Sequence, residues 1–440
     1  MNRRDALRTG LGSAFASQLA GFTFADDTLA VQNDSPTEKP PIVAAAEAAQ
    51  PLSDLVSGKS VEAVWALVES NRVRLSLKNI SEKRLAILVD PGTVLRHEKN
   101  SWLVGGPSRY TGQFGGLFGS TSIDAETVPN TIPLGVGKSA SLTLPVIELM
   151  QPEAGKFKEL AGLKMEKAGD WTKDAPTAAM LTALSSLGTS LGVAQGIAWK
   201  VSGLEPEKIT QQRVESQTLT EFDRFSIERF CDIFKTIPDH GNLQTISSAL
   251  NKEKLHVQVL ATGVKRLPAQ KLLAGMLARQ SFMGLPAGAI ALSASDAAPK
   301  WASLKLDFQV VNEIRAGLYA VDASLASRTG LNGLFVKFAR VRLPLRPETQ
   351  GAELMAWLEG QMAPTMARLV RTGQGGMTSR FRLENQTTQT LAMIETTTGG
   401  DSADLALFEL AGLGVGPRAR ASVRIPADSA RATRIRFAAI

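Results

Sequence analysis

The sequence predicts an α+β protein in which repeated antiparallel β-sandwich modules are separated by helical segments. Two observations carry this. One strand pattern comes back along the chain, and between its copies the period-two alternation gives way to helical spacing. In the first copy, Arg74-Leu75-Ser76-Leu77-Lys78-Asn79 leads to Leu85-Ala86-Ile87-Leu88, and the copy closes on Leu134-Gly135-Val136-Gly137 and Leu142-Thr143-Leu144-Pro145. In the last copy, Arg380-Phe381-Arg382-Leu383-Glu384-Asn385 leads to Leu391-Ala392-Met393-Ile394, then Leu413-Gly414-Val415-Gly416 and Val423-Arg424-Ile425-Pro426. A fainter copy between them places Asn312, Leu318 and Pro344 in the same order.

Taken in order, residues 26–59 carry Pro36, Pro40, Pro41 and Pro51 around an alanine-rich patch, which predicts a linker. From Ser60, Val61, Ala63, Trp65 and Leu67 fall on one strand face, and Val73, Leu75 and Leu77 alternate with Arg74, Ser76 and Lys78. One buried and one wet face is the signature of an antiparallel sheet, so 60–148 reads as the first module. Its glycine-rich insertion, Gly105 to Asn130, lacks the Gly-Lys-Ser/Thr ending of a P-loop and reads as a surface loop. Residues 149–250 read as a helical segment: Thr177 to Trp199 is uncharged and predicts a buried core helix. Thr218-Leu219-Thr220-Glu221 fits a capping box, and Phe222, Phe225, Phe230, Ile233 and Phe234 form a core-facing stripe. Residues 251–345 predict a second β-rich module with a short helix at Ala269 to Arg279. Residues 346–376 predict a helix, Glu353 to Arg371, bent or broken at Pro364, and a linker, and 377–440 a third module ending in a strand at Thr433 to Ile440.

Composition narrows the chemistry. A chain of 440 residues with 44% hydrophobic and 21% charged residues is long enough for several cores. The single cysteine, Cys231, excludes an intramolecular disulfide framework and multi-cysteine metal sites, and it reads as part of the packing. His97, His240 and His256 are far apart and show no ligand spacing. Glu205-Glu207 and Asp401-Asp404 lie in polar turns, and neither a Gly-x-Ser-x-Gly elbow nor a His-Glu-x-x-His helix is present. No cofactor is expected. The formal charge of +7 leaves an anionic partner open.

The start of the chain, Asn2-Arg3-Arg4-Asp5-Ala6-Leu7-Arg8, resembles the twin-arginine export motif of bacterial proteins, with Ala6 where Phe is more usual. The mildly apolar run Leu11 to Phe24 follows, and Thr23-Phe24-Ala25 fits a small-residue cleavage site. The resemblance implies a signal peptide over 1–25 and a periplasmic or extracellular protein. No membrane span is expected after its removal.

Ala194-Gln195-Gly196-Ile197-Ala198-Trp199 resembles the Gln-containing segment of thioester domains in bacterial surface adhesins. In that family the Gln side chain is cross-linked to a late-strand Cys of the preceding sandwich. Here Val146-Ile147-Glu148-Leu149 stands at that place and Cys231 follows the Gln, so no internal thioester is expected. Gln195 reads instead as a structural amide that hydrogen-bonds main chain and fixes its helix against the sandwich.

Arg418, Arg420, Arg424, Arg431, Arg434 and Arg436 crowd the last strands, and Lys337, Arg340 and Arg342 echo them in the middle copy. Spacing by two puts guanidinium groups on one strand face, where they can hold phosphate, sulfate or carboxylate, or simply protect a sheet edge. Aromatics for base stacking are nearly absent, so nucleic acid is not an expected partner.

These readings lead to an exported, non-enzymatic protein of Ig-like modules serving structure, adhesion or envelope binding, with an envelope polysaccharide or a protein as partner. Two alternatives stand beside it. One is an extracytoplasmic enzyme whose site is assembled from distant residues, with His240 or His256 beside a carboxylate. The other is a binder of anionic glycan or phosphate through Arg418, Arg420, Arg424, Arg434 and Arg436.

Overall fold

The computed structural model describes residues 49–105, 108–110, 113–115, 132–150, 159–187, 189–214, 217–375, 378–389, 391–398, 408–410, 420–426 and 430–437. The export segment 1–25, most of the expected linker and most of the glycine-rich insertion lie outside these residues. Helices and many antiparallel sheets together make the chain α+β.

The linker expected through Lys59 gives way earlier. Gln50–Pro51 pairs in parallel with Leu85–Leu88, and helix α1 (Leu52–Ser57) follows. Leu52 and Leu55, one turn apart, both bury in the first core, which outweighs the weak local propensity. Strands β1 (Val61–Glu69) and β2 (Arg72–Asn79) pair antiparallel, with Trp65 opposite Leu75 and Leu67 opposite Val73. Strands β3 (Leu85–Leu88), β4 (Thr93–His97), β5 (Asn100–Val104), β6 (Ile132–Leu134), β7 (Ser139–Glu148) and β8 (Lys164–Lys167) complete the region. The large sheet runs Leu160–Ala161, β1, β2, β7, β5, β4, β8, while β3 and β6 pair in a separate small sheet with Gln50–Pro51. Leu85, Ile87, Ile132 and Leu134 of the small sheet bury in the same core as Leu75, Leu77, Leu142 and Leu144 of the large one.

The far half of the large sheet is apolar on both faces. Leu95 and Trp102 face the first core, whereas their neighbours Val94 and Leu103 join a second core built by α2 (Ala175–Ser186), α3 (Leu191–Val201), α4 (Glu221–Lys235) and α5 (Leu243–Lys252). The uncharged run expected as one helix is therefore two: α2 ends at Ser186, and Ser190 starts α3 by accepting a bond from Val193 N. The capping box sits two residues later than expected, on Thr220 and Asp223, because Thr218 is already held in a short strand opposite Arg213.

Strand β9 (Leu255–Ala261) then leads through α6 (Leu267–Leu277) to a meander of β10 (Leu304–Arg315), β11 (Leu318–Arg328) and β12 (Phe335–Leu345). The expectation of a wholly antiparallel module is corrected here. β9 pairs with β10 in parallel, Leu255 opposite Leu304 through Ala261 opposite Val310, and with Ile290–Ala291 in parallel on its other side. A crossover helix is what a parallel pair requires, and α6 supplies it. Helix α7 (Gly351–Met366) packs on the apolar face of this sheet beside α6. Pro364 falls in its last turn, and the chain goes directly into strand β13 (Ala367–Gly375), not into a linker. At Gly351 an added Cβ would collide with the main-chain oxygen of Met276 at the end of α6. Gly351→Ala is expected to cost roughly 2–3 kcal/mol, read from chemical denaturation, because main chain yields less readily than a side chain.

The last strands are β14 (Thr378–Asn385), β15 (Leu391–Thr398), β16 (Phe408–Leu410), β17 (Arg420–Pro426) and β18 (Ala430–Phe437). β14 pairs with β13 and β17 in one sheet, and β15 with β16 and β18 in another. Leu383, Leu391, Ile435 and Phe437 share one core with the mixed sheet and α7.

The pairings of the first and last copies correspond. Arg72 lies opposite Pro145, and Thr378 opposite Pro426; the strand after each Asn pairs in a different sheet. The turn after each Asn is bonded alike. Asn79 Oδ1 accepts from the main-chain and hydroxyl donors of Ser81, and Asn385 Oδ1 from those of Thr387. Asn79 Nδ2 donates to Lys83 O, and Asn385 Nδ2 to Gln389 O, at 2.7 Å in both. The middle stretch is paired differently: Asn312 sits at the exposed end of the β10–β11 hairpin, and Pro344 lies opposite Ala320.

Candidate functional site

The helical layer is fastened to the first sheet at Gln195. Along β7, main-chain groups alternate in direction. Pro145 and Leu149 bond toward β5, through Gly105 N and Ser101 O, whereas Val146 N turns the other way to Asn71 O. β2 begins at Arg72, so its pairing with β7 stops at Pro145, three residues short of Glu148. The Gln195 side chain takes that place: its Nε2 donates to Glu148 O at 2.7 Å, and its Oε1 accepts from Glu148 N at 2.9 Å. Ser202 Oγ donates to the next carbonyl, Leu149 O. A primary amide presents one donor and one acceptor side by side, as a peptide group does in a ladder.

Of the three histidines, His240 is absorbed by structure: it stacks on Phe234 at 4.5 Å between ring centroids, and its Nε2 lies 2.9 Å from Phe234 O. His97 ends β4 at the turn to β5, opposite Asn100. His256 is different. It lies on the polar face of the mixed sheet and is 5% exposed, and its Nε2 has no hydrogen-bond partner among the described residues. The parallel register sets Lys305 beside His256 and Asp307 beside Gln258. Lys305 Nζ bonds Gln258 Oε1 at 2.9 Å and Asp307 at 3.0 Å, and Gln258 Nε2 donates to Ser293 O at 2.6 Å. Burial, and then the Lys305 charge, push the imidazole below its ordinary value, against the opposing pull of Asp307 and Asp296.

The same polar face continues outward to an ion-pair fork. Asp322 on β11 accepts from Arg342 Nε at 2.6 Å and Nη2 at 3.2 Å, and from Arg340 Nη2 at 2.6 Å, both arginines lying on β12. Hydrogen bonding from Arg342 is the main cause that draws the Asp322 carboxyl from 3.8 to about 2. A carboxylate whose folded value is depressed contributes stability that is whole above its ordinary value and is lost as pH falls through about 2. Asp322→Asn is therefore expected to lower stability throughout the range above pH 3.8 and to flatten the fall between there and about 2, so that the two profiles converge at the acid end, as followed by circular dichroism.

The C-terminal arginines are divided between two sheets. Arg418 lies outside the described residues. Arg420 and Arg424 lie on β17, opposite Glu384 and Arg380, with Arg420 Nε 3.6 Å from Glu384 Oε1. Arg431, Arg434 and Arg436 lie on β18, opposite Thr397, Glu395 and Met393. Cys231 is buried in the second core, where burial pushes its thiol up to about 11. Among the described residues, no group of three or more His, Cys, Asp or Glu is placed to hold a metal, and no helix is long and apolar enough to cross a membrane.

Asp322 and His256 were both invisible as partners in the sequence. Each meets its neighbours only across strand pairs whose register is set by the fold, with His256 and Lys305 brought together by a parallel crossover. No protein-family model matches the chain, and no curated protein does.

Proposed function

We propose that this chain is an exported, non-enzymatic envelope protein: a scaffold of Ig-like β-sandwich modules, joined by helices, that serves adhesion or envelope binding. The observation that carries the reading is the correspondence of the Asn79 and Asn385 turns, with the same side-chain bonds and the same strand pairings around them. The first and last modules are the repeated pair, and the mixed sheet with α7 joins onto the last of them. The likeness of Ala194–Trp199 to thioester-domain adhesins supports the adhesion class, with Gln195 serving as a fastening amide. The twin-arginine-like start supports a periplasmic or extracellular location. An envelope polysaccharide or an envelope protein is the partner class. Sedimentation of the purified mature protein with isolated bacterial envelopes tests the reading; saturable binding is the expected result, and a protein that stays in the supernatant at every concentration defeats it.

One observation favours the enzyme reading as a second choice: the buried His256 Nε2 without a hydrogen-bond partner among the described residues, on the same face as Lys305 and Asp307. A polar cluster of this kind is suited to proton transfer. A turnover found in a hydrolase panel and abolished by His256→Asn would establish it.

A further inference from the structure

We infer that the exposed edge strand of the mixed sheet, β12, binds a polymer bearing phosphate, sulfate or carboxylate groups, through Arg340, Arg342 and Lys337, with Asp322 holding the two guanidinium groups side by side. The inference rests on the envelope-binding reading and names the surface and the chemistry of its partner.

The geometry of the fork carries it. The Asp322 side chain is 15% exposed, whereas those of Arg340 and Arg342 are 70% and 64% exposed. The carboxylate is thus roofed by its two arginines, which turn their outer faces to water. A guanidinium has five N–H donors, and Asp322 engages one from Arg340 and two from Arg342. An unpaired surface arginine loses rotamer freedom when it binds an anion; these two are already ordered, so less is lost on binding.

The sheet adds further cations in register. β12 carries a bulge at Phe338, so that Ala339 lies opposite Leu325 while Lys337 lies opposite Ala326. Without the bulge, strict alternation would send Lys337 to the core side; with it, Lys337, Arg340 and Arg342 share the face of Ala326, Ser324 and Asp322. Lys305 stands on the same face one strand further in. The exposed strand therefore presents three cations, Lys337, Arg340 and Arg342, beside the single carboxylate of Asp322, whereas Lys305 is already paired with Asp307 at 3.0 Å. The cations are spread along an exposed strand and not gathered in a cavity, which suits many weak contacts with a chain better than one tight contact with a free ion.

The test is retention of the full mature protein on heparin, a sulfated polymer, over a salt gradient, with phosphatidylglycerol vesicles and free inorganic phosphate as comparison arms. The double variant Arg340→Gln/Arg342→Gln is expected to weaken polymer binding by about tenfold or more and to reduce its salt dependence. Asp322→Asn separates an ordered site from bulk charge: it makes the protein more positive, yet it releases both arginines, so it is expected to bind more weakly than wild type. Thermal melts of each variant control for folding. Tighter binding by Asp322→Asn overturns the proposal. So does loss of retention in Arg434→Ala/Arg436→Ala but not in the β12 variant, or binding to vesicles or free phosphate without binding to polymer. A wild type that sediments with envelopes but is not retained on heparin overturns this site and leaves the envelope reading standing; one that does neither overturns both.

Discussion

Asn79→Asp is expected to destabilise the first module by about 4 kcal/mol or more at neutral pH. Asn79 is fully buried, and the two N–H groups of its Nδ2 are shared among three carbonyls: Lys83 O at 2.7 Å, Gly135 O at 3.0 Å and Leu134 O at 3.1 Å. Those bonds tie the end of β2 to the turn before β3 and to the segment between β6 and β7. Aspartate keeps the shape and still accepts from Ser81, but it sets a carboxylate oxygen where the donor stood, facing three acceptors. Asn79→Ala removes the bonds without adding the charge and is expected to cost less than Asn79→Asp. Urea denaturation of both variants checks the order; equal losses would mean that the three carbonyls are met by water once the amide is gone. Asn385→Asp is expected to act in the same direction on the last module, since Asn385 is likewise buried and bonded to Gln389 O.

Gln195→Ala is expected to cost about 2 kcal/mol, the loss of two hydrogen bonds to part-buried main chain at Glu148. Gln195→Glu is the sharper variant. It retains the size and one acceptor but replaces the donor that meets Glu148 O, so it is expected to be destabilised at least as much, and to recover part of the loss as pH falls and the new carboxyl protonates. A pH-independent deficit would contradict the assignment of the amide as a two-point fastening. The readout is the stability of the whole chain, since α3 packs its other side on α4, with Gly196 close against Ile227.

The legible part of this fold is the part set by local pattern. Alternation in 61–79 and 139–146 declared strands because each strand there has one buried and one wet face. Asn79 and Asn385 recur at matching places in the two copies, but the turns they hold through Ser81 and Thr387 show only in the structure. The same letter at Asn312 carries no such turn: it is exposed on a hairpin, and burial is not written in a single residue. The parallel pairing of β9 with β10 was hidden for a different reason. Parallel partners are joined through a crossover, so their register depends on how α6 packs and not on any repeat within the strand. Hence His256 and Lys305 were each readable as residues but not as neighbours. For Arg340 and Arg342 the spacing by two was visible, while the carboxylate that orients them came from the adjoining strand. Gln195 was conspicuous because a single amide stood among small and apolar residues in an uncharged run; its partner, the main chain of Glu148, leaves no mark in sequence.

The proposed role, binding to the envelope without turnover, is tested most directly by incubating the purified protein with isolated bacterial envelopes and following both phases. The account predicts saturable, salt-sensitive sedimentation of the protein, reduced in Arg340→Gln/Arg342→Gln, with the envelope material chemically unchanged. Release of cleaved or modified envelope material, abolished by His256→Asn, would contradict it.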